Sequence, residues 1–165
     1  MKSITIIRHA ESNWGSPSMP DFERPLNGIG FKDAEMMGDI LLGRRTCLDA
    51  IISSTANRAL STATIIAKKI KFQNQIKKKK SLYSASTDEF LYIISSLDNS
   101  LNNIAIVGHN PTLHLLSEAL SNQKISEFPT CSIVKINFQV ASWTDSLVGT
   151  LEYFIYPNLF KNIQE

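Results

Sequence analysis

Three short apolar, β-branched runs, Ser3–Ile7, Asp49–Ser53 and Asn103–Val107, each give way at once to a polar turn. Segments of helical period follow those turns. That alternation is what parallel strands joined by crossover helices require, and it predicts an α/β fold with a largely parallel sheet. Phe31, Ala34, Met37 and Leu41 recur at intervals of three and four, predicting a helix that begins near Gly30 and ends near Gly43. Leu60, Ala63, Ala67 and Ile70 form a second stripe, Phe90, Leu91, Ile94 and Leu97 a third, and Leu113, Leu116 and Leu120 a fourth opened by Pro111. Ser132–Phe138 and Thr150–Tyr156 alternate apolar and polar residues, as half-exposed strands do, and can pair as a hairpin or flank the sheet. A short strand or extended segment is expected around Leu82 and Tyr83, and a frayed tail after Pro157. With 165 residues, no linker and no internal repeat, the expectation is one domain over 1–165.

The net charge is +2, too small for a strong whole-molecule attraction to nucleic acid. The charge is unevenly spread. Seven lysines and no acid lie between Lys68 and Lys80, so the remainder of the chain carries −5. Only Phe72 interrupts that basic segment with an aromatic ring, which disfavours base stacking and leaves a solvated face or a patch for an acidic partner. Cys47 and Cys131 have neither redox nor metal-ligand spacing. No stretch approaches the roughly 18 apolar residues of a membrane span, and the first residues lack a secretory pattern. A cytoplasmic protein without membrane or nucleic-acid partners is the expectation.

The chemistry gathers at the ends of the three apolar runs. Arg8 and His9 follow the first, Arg58 the second and His109 the third. Ligands of open α/β sheets bind outside the carboxyl ends of the strands, so residues about fifty positions apart can share one cleft. Two guanidiniums able to chelate phosphate oxygens, two imidazoles and two helix N-termini suit a phosphoryl group. Neighbouring strand residues point to opposite faces, so Arg8 and His9 can both reach such a site only if the first strand stops at about Ile7.

Arg8-His9-Ala10-Glu11-Ser12, with Trp14 shortly after, resembles the N-terminal signature of the histidine phosphatase superfamily. Asp21-Phe22-Glu23-Arg24-Pro25-Leu26-Asn27, the stretch Ser53 to Ala63 and Gly108-His109-Asn110-Pro111 are similar to the short SixA-like phosphohistidine phosphatases of that superfamily. Leu82-Tyr83, Phe128-Pro129-Thr130 and Ser142-Trp143 extend the resemblance over nearly the whole chain. It implies a three-layer sandwich and a phosphohydrolase in which His9 is the nucleophile and becomes a transient phosphohistidine. Arg8, Arg58 and His109 would bind the transferred oxygens, and no metal or other cofactor is implied. A neutral imidazole suits nucleophilic attack near pH 7.

The leaving group's proton is less easily placed. In the wider superfamily a carboxyl group supplies it, and Glu89 is the candidate by order along the chain, with Asp21 in the proline-bounded loop as another. An acid in the first turn of a helix also favours the helix dipole, which explains Asp88 and Glu89 equally well. Ser12 can hydrogen-bond phosphate or cap a turn. His114 lies outside the motif residues and reads as a helix packing residue, five positions from His109 rather than at zinc-site spacing. Short connections favour an open cleft and hence a phosphohistidine on a signalling or phosphotransfer protein. A small phosphoester is the alternative substrate, and a non-catalytic phosphoprotein-binding module the alternative class.

Overall fold

The computed structural model describes residues 1–162. Strands β1 (Lys2–Arg8), β2 (Ala50–Ser54), β3 (Lys77–Lys79), β4 (Asn103–Gly108), β5 (Ile133–Phe138) and β6 (Thr150–Ile155) form one sheet in the order β3-β2-β4-β1-β5-β6. β3, β2, β4 and β1 are mutually parallel, while β5 runs antiparallel to both β1 and β6. The helices are α1 (Gly28–Gly43), α2 (Asn57–Lys69), α3 (Thr87–Ser95), α4 (Thr112–Ser121) and the short α5 (Asn158–Lys161). None of the described helices is long and apolar enough to cross a membrane.

The period-2 alternation of each strand divides the core in two. Ile4, Ile6, Ile52, Ile104, Ile106, Val134 and Ile136 face α3 and α4, with Phe90, Ile94, Leu113 and Leu116 packed on them. Ile7, Ile51, Ala105, Val107 and Ile133 face the other way, onto Ala34, Met37 and Leu41 of α1 and Ala59, Ala63 and Ile66 of α2. Both faces of β1, β2 and β4 are therefore covered, giving three layers, and this is why those strands read as continuous apolar runs.

Four sequence expectations change. The Leu82–Tyr83 extended segment is a 3-10 turn, Lys80–Tyr83, and the strand lies just before it, in the lysine run itself. Lys77, Lys78 and Lys79 pair with Ile52, Ser53 and Ser54 through the backbone, all three remaining exposed at the sheet edge. Charged side chains there discourage further edge pairing. Phe31 does not join the buried stripe of α1: it is 48% exposed. A Cβ on Gly30 would lie 2.0 Å from the Glu11 carbonyl oxygen, so the helix seats on that glycine and leaves Phe31 at the margin. After Pro157 the chain forms α5, whose Lys161 pairs at 2.9 Å with the buried Asp33, so the frayed tail does not begin there; residues 163–165 lie outside the described part. β1 ends at Arg8 rather than Ile7, one residue later than the strand-end argument asked.

Candidate active site

β2, β4 and β1 are consecutive in the sheet and parallel, so their carboxyl ends, Ser54, Gly108 and Arg8, lie side by side. His9 follows β1 directly and its backbone N–H donates to the Gly108 carbonyl at 3.0 Å. Arg58 sits in the first turn of α2, and His109 follows β4 on the way into α4. The imidazole centroids of His9 and His109 are 5.3 Å apart. Arg8, as the last residue of its strand, leaves from the α3/α4 face and donates through Nη1 to the Phe128 carbonyl at 2.8 Å. His9, just beyond the strand, turns to the α2 side, so both can border one cleft.

His9 is 8% exposed and its ring is held at both nitrogens. Nδ1 lies 2.8 Å from the Ala10 carbonyl oxygen, which can only accept, so Nδ1 carries the proton. Nε2 is then the lone-pair nitrogen, and it accepts from Arg58 Nε at 3.3 Å. Thr62 ties the two elements together from beneath. Its Oγ1 accepts from the Ala10 N–H at 2.9 Å and donates to the Arg58 carbonyl at 2.7 Å. His109 Nε2 hydrogen-bonds Ser54 Oγ at 2.8 Å, while its buried Nδ1 and the buried Nε of Arg8 make no hydrogen bond among the described residues.

Burial, with the charges of Arg58 and Arg8 and electrostatic coupling to His109, lowers the His9 pKa to about 3, against the opposing Ala10 hydrogen bond. Burial and then Arg58 lower that of His109 to about 4. Both rings are therefore neutral at pH 7. Between pH 6.5 and these values the unfolded chain binds protons that the folded one does not, so this stability is complete above pH 6.5 and is lost as pH falls towards 4 and 3. Imidazole NMR shifts of His9 and His109 are expected to stay at their neutral values from pH 8 down to pH 5. A midpoint near 6.5 for either ring would show that the cleft does not hold it neutral.

A polar-loop clamp closes one side. Asp21, in the 3-10 turn Asp21–Glu23, accepts from Arg58 Nη2 at 3.0 Å, from Arg24 Nη1 at 2.9 Å and from the Tyr83 hydroxyl, while its carbonyl accepts from Arg58 Nη1 at 2.7 Å. The Tyr83 hydrogen bond, and after it Arg24 and Arg58, hold the Asp21 carboxyl far below the ordinary carboxylate range despite partial burial. Ser12 Oγ accepts from Arg24 Nη2 at 2.8 Å, so Ser12 meets the site through Arg24.

Glu89 makes no hydrogen bond or ion pair with this cluster among the described residues. It is exposed, and its carboxylate accepts from the Ser86 N–H at 2.6 Å while Ser86 Oγ accepts from the Glu89 N–H at 3.2 Å. That is a capping box at the start of α3, the helix-terminus role that its position also allowed. His114 packs as expected, with Nε2 bonded to the Ile125 carbonyl at 2.6 Å and its ring stacked on Phe128. Sequence reasoning missed the orienting roles of Thr62, Ser54, Arg24 and Tyr83; for Arg24 the three-residue spacing from Asp21 was the available signal.

The family model described as histidine phosphatase superfamily (branch 1) matches residues 4–84. The solved structure of SixA from Agrobacterium tumefaciens is similar at TM-score 0.83 and 28% identity, covering 94% of this chain and 98% of that one. The protein histidine phosphatase SixA complexed with tungstate shares the fold at TM-score 0.83 and 18% identity, covering 96% and 99%. An uncharacterized protein of Mycobacterium tuberculosis is 28% identical over 151 residues, 84% of this chain and 90% of that protein. A mixed sheet with helices on both faces, a His9–Arg58–His109 cluster at its carboxyl edge and these matches lead to one conclusion: the chain resembles the histidine phosphatase superfamily over residues 4–84, has a SixA-like fold and is a phosphohydrolase.

Proposed function

We propose that this enzyme removes phosphate from phosphohistidine on a protein, through a phosphohistidine formed on His9. The observation that carries the reading is the His9 tautomer: with Nδ1–H donated to Ala10, Nε2 is a neutral nucleophile beside Arg58. Nε2 attacks phosphorus as the bond from phosphorus to the substrate nitrogen breaks. The substrate imidazole leaves neutral when its other nitrogen carries a proton. Water then attacks phosphorus, the bond to Nε2 breaks, and His9 returns to its neutral form with the Nδ1 proton never released. Arg8, Arg58 and His109 Nδ1 would hold the phosphoryl oxygens, the principal catalytic device for this transfer.

The substrate preference follows from the acids. Asp21 is an ionised partner of Arg58, Arg24 and Tyr83, and Glu89 is occupied in a cap. Neither is a protonated donor poised for an alkoxide. An imidazole leaving as a neutral molecule needs no such donor. The test is phosphate release, with EDTA present, from a phosphohistidine-bearing carrier protein and from a panel of small phosphoesters. The carrier is expected to be the better substrate by about 10²-fold or more in kcat/KM, comparable to the effect of a well-placed catalytic group; preference for one ester would move the substrate assignment to that ester.

A further inference from the structure

Two neighbouring clefts run along one face of α2. The first, about 530 Å³, is lined by Thr55, Asn57, Leu60, Thr64, Ile65 and Phe31; the second, about 500 Å³, by Thr64, Lys68, Phe72, Ile76 and Lys78 among others. Thr64 borders both, so the two adjoin, and together they are called the furrow. Asn57, Leu60, Thr64 and Lys68 are spaced three and four apart, the repeat of a single helix face, over roughly 17 Å at 1.5 Å per residue. At one end Asn57 precedes Arg58 in the chain and donates through Nδ2 to the carbonyl of Glu23, in the same 3-10 turn as Asp21. Here the walls are apolar, including the 48% exposed Phe31, with the 50% exposed Ile29 close by in sequence.

The far end is cationic. Of the lysines between 68 and 80, Lys69 alone has a carboxylate within ion-pair distance among the described residues, Asp39 at 3.1 Å. Lys68 and Lys78 line the furrow with exposed, uncompensated charge. The single ring in the lysine segment, Phe72, is half-buried and gives no stacking platform for bases, and the first cleft presents Phe31, Leu60 and Ile65, so a polypeptide is the better fit.

We propose that this furrow seats an acidic segment of the phosphoprotein substrate, with apolar side chains at helical spacing lying over Phe31, Leu60 and Ile65 and carboxylates over Lys68 and Lys78. The proposal rests on the protein-phosphohistidine reading and specifies how such a protein is selected. Rim charges of this kind govern association and salt dependence.

Two synthetic peptides test it. Both carry the same phosphohistidine and a flank with leucine at three- and four-residue intervals, one with glutamates between the leucines and the other with glutamines. Phosphoimidazole is the small substrate. At low salt the glutamate peptide is expected to be cleaved with kcat/KM about tenfold higher, the difference lying in KM and shrinking as salt rises. Lys68→Glu/Lys78→Glu should remove that preference while phosphoimidazole turnover stays at the wild-type rate, which also reports an intact fold. Equal kcat/KM for the two peptides, or a preference that survives the double substitution, overturns the docking furrow and leaves the phosphohistidine reading intact. Turnover of phosphoimidazole with neither peptide cleaved overturns both.

Discussion

His9→Ala is expected to lower turnover of phosphoimidazole and of a phosphohistidine carrier by about 10⁴-fold or more, the order of loss seen when a covalent nucleophile is deleted. Phosphate binding should survive, because Arg8, Arg58 and His109 do not depend on the imidazole for their backbone positions. Arg58 in particular is anchored by two contacts to Asp21, at 2.7 and 3.0 Å. The distinguishing measurement is chemical. Wild-type enzyme quenched during turnover of a ³²P-labelled substrate should carry label on His9, stable to alkali and lost in acid, as a phosphorus–nitrogen bond is. His9→Ala should carry none, and calorimetry should still detect inorganic phosphate binding within about tenfold of wild type, since the remaining charged donors supply most of the attraction. Label in the variant, or undiminished turnover, would place the nucleophile elsewhere; lost phosphate binding would show that His9 also builds the anion site.

The parts of this site that were legible in the sequence share one physical property: they stand where a hydrophobic pattern stops. His9, Arg58 and His109 each follow a buried strand, so the end of an apolar run located them without knowledge of the sheet order. Arg8 was harder, since it closes the strand and faces away from His9; the strand's termination, one residue later than expected, resolves this. Asp21 belongs to a proline-bounded loop with no period to read. Its partner Tyr83 comes from a turn distant in the chain, and only tertiary structure makes their hydrogen bond.

The misread elements have equally specific causes. Strand patterns are recognised by side-chain alternation, and Lys77–Lys79 has none, because an exposed three-residue edge strand is held by its backbone. Phe31 fits a helical stripe by spacing, yet the glycine contact at position 30 rotates it out of the core and into the furrow wall. Glu89 was ambiguous only because its order along the chain was weighed against the dipole alone. Ser86-Thr87-Asp88-Glu89 has the spacing of a capping box, and that local signal outweighs position.

Neither Asp21 nor Glu89 stands as a free protonated donor among the described residues, and this sets the second large effect, which lies in the leaving group. Wild-type enzyme is expected to hydrolyse phosphoimidazole at least about 10³-fold faster in kcat/KM than a simple alkyl phosphate, because general acid catalysis worth roughly 10²–10⁴ is missing where an alkoxide must be expelled. Activated aryl esters should fall between, with rate rising as the leaving group's pKa falls. Two substitutions separate this from a hidden acid. Glu89→Gln should leave the phosphoimidazole-to-alkyl ratio unchanged and lower only the melting temperature, through its cap. Asp21→Asn removes the carboxylate that engages Arg58 and should alter KM for all substrates together, leaving the ratio within about threefold if no proton passes through it. If either substitution instead slows alkyl phosphate by about 10²-fold while sparing phosphoimidazole, that carboxyl is the acid. Substrate binding would then have to release it from its present partners: Arg58, Arg24 and Tyr83 for Asp21, or Ser86 for Glu89.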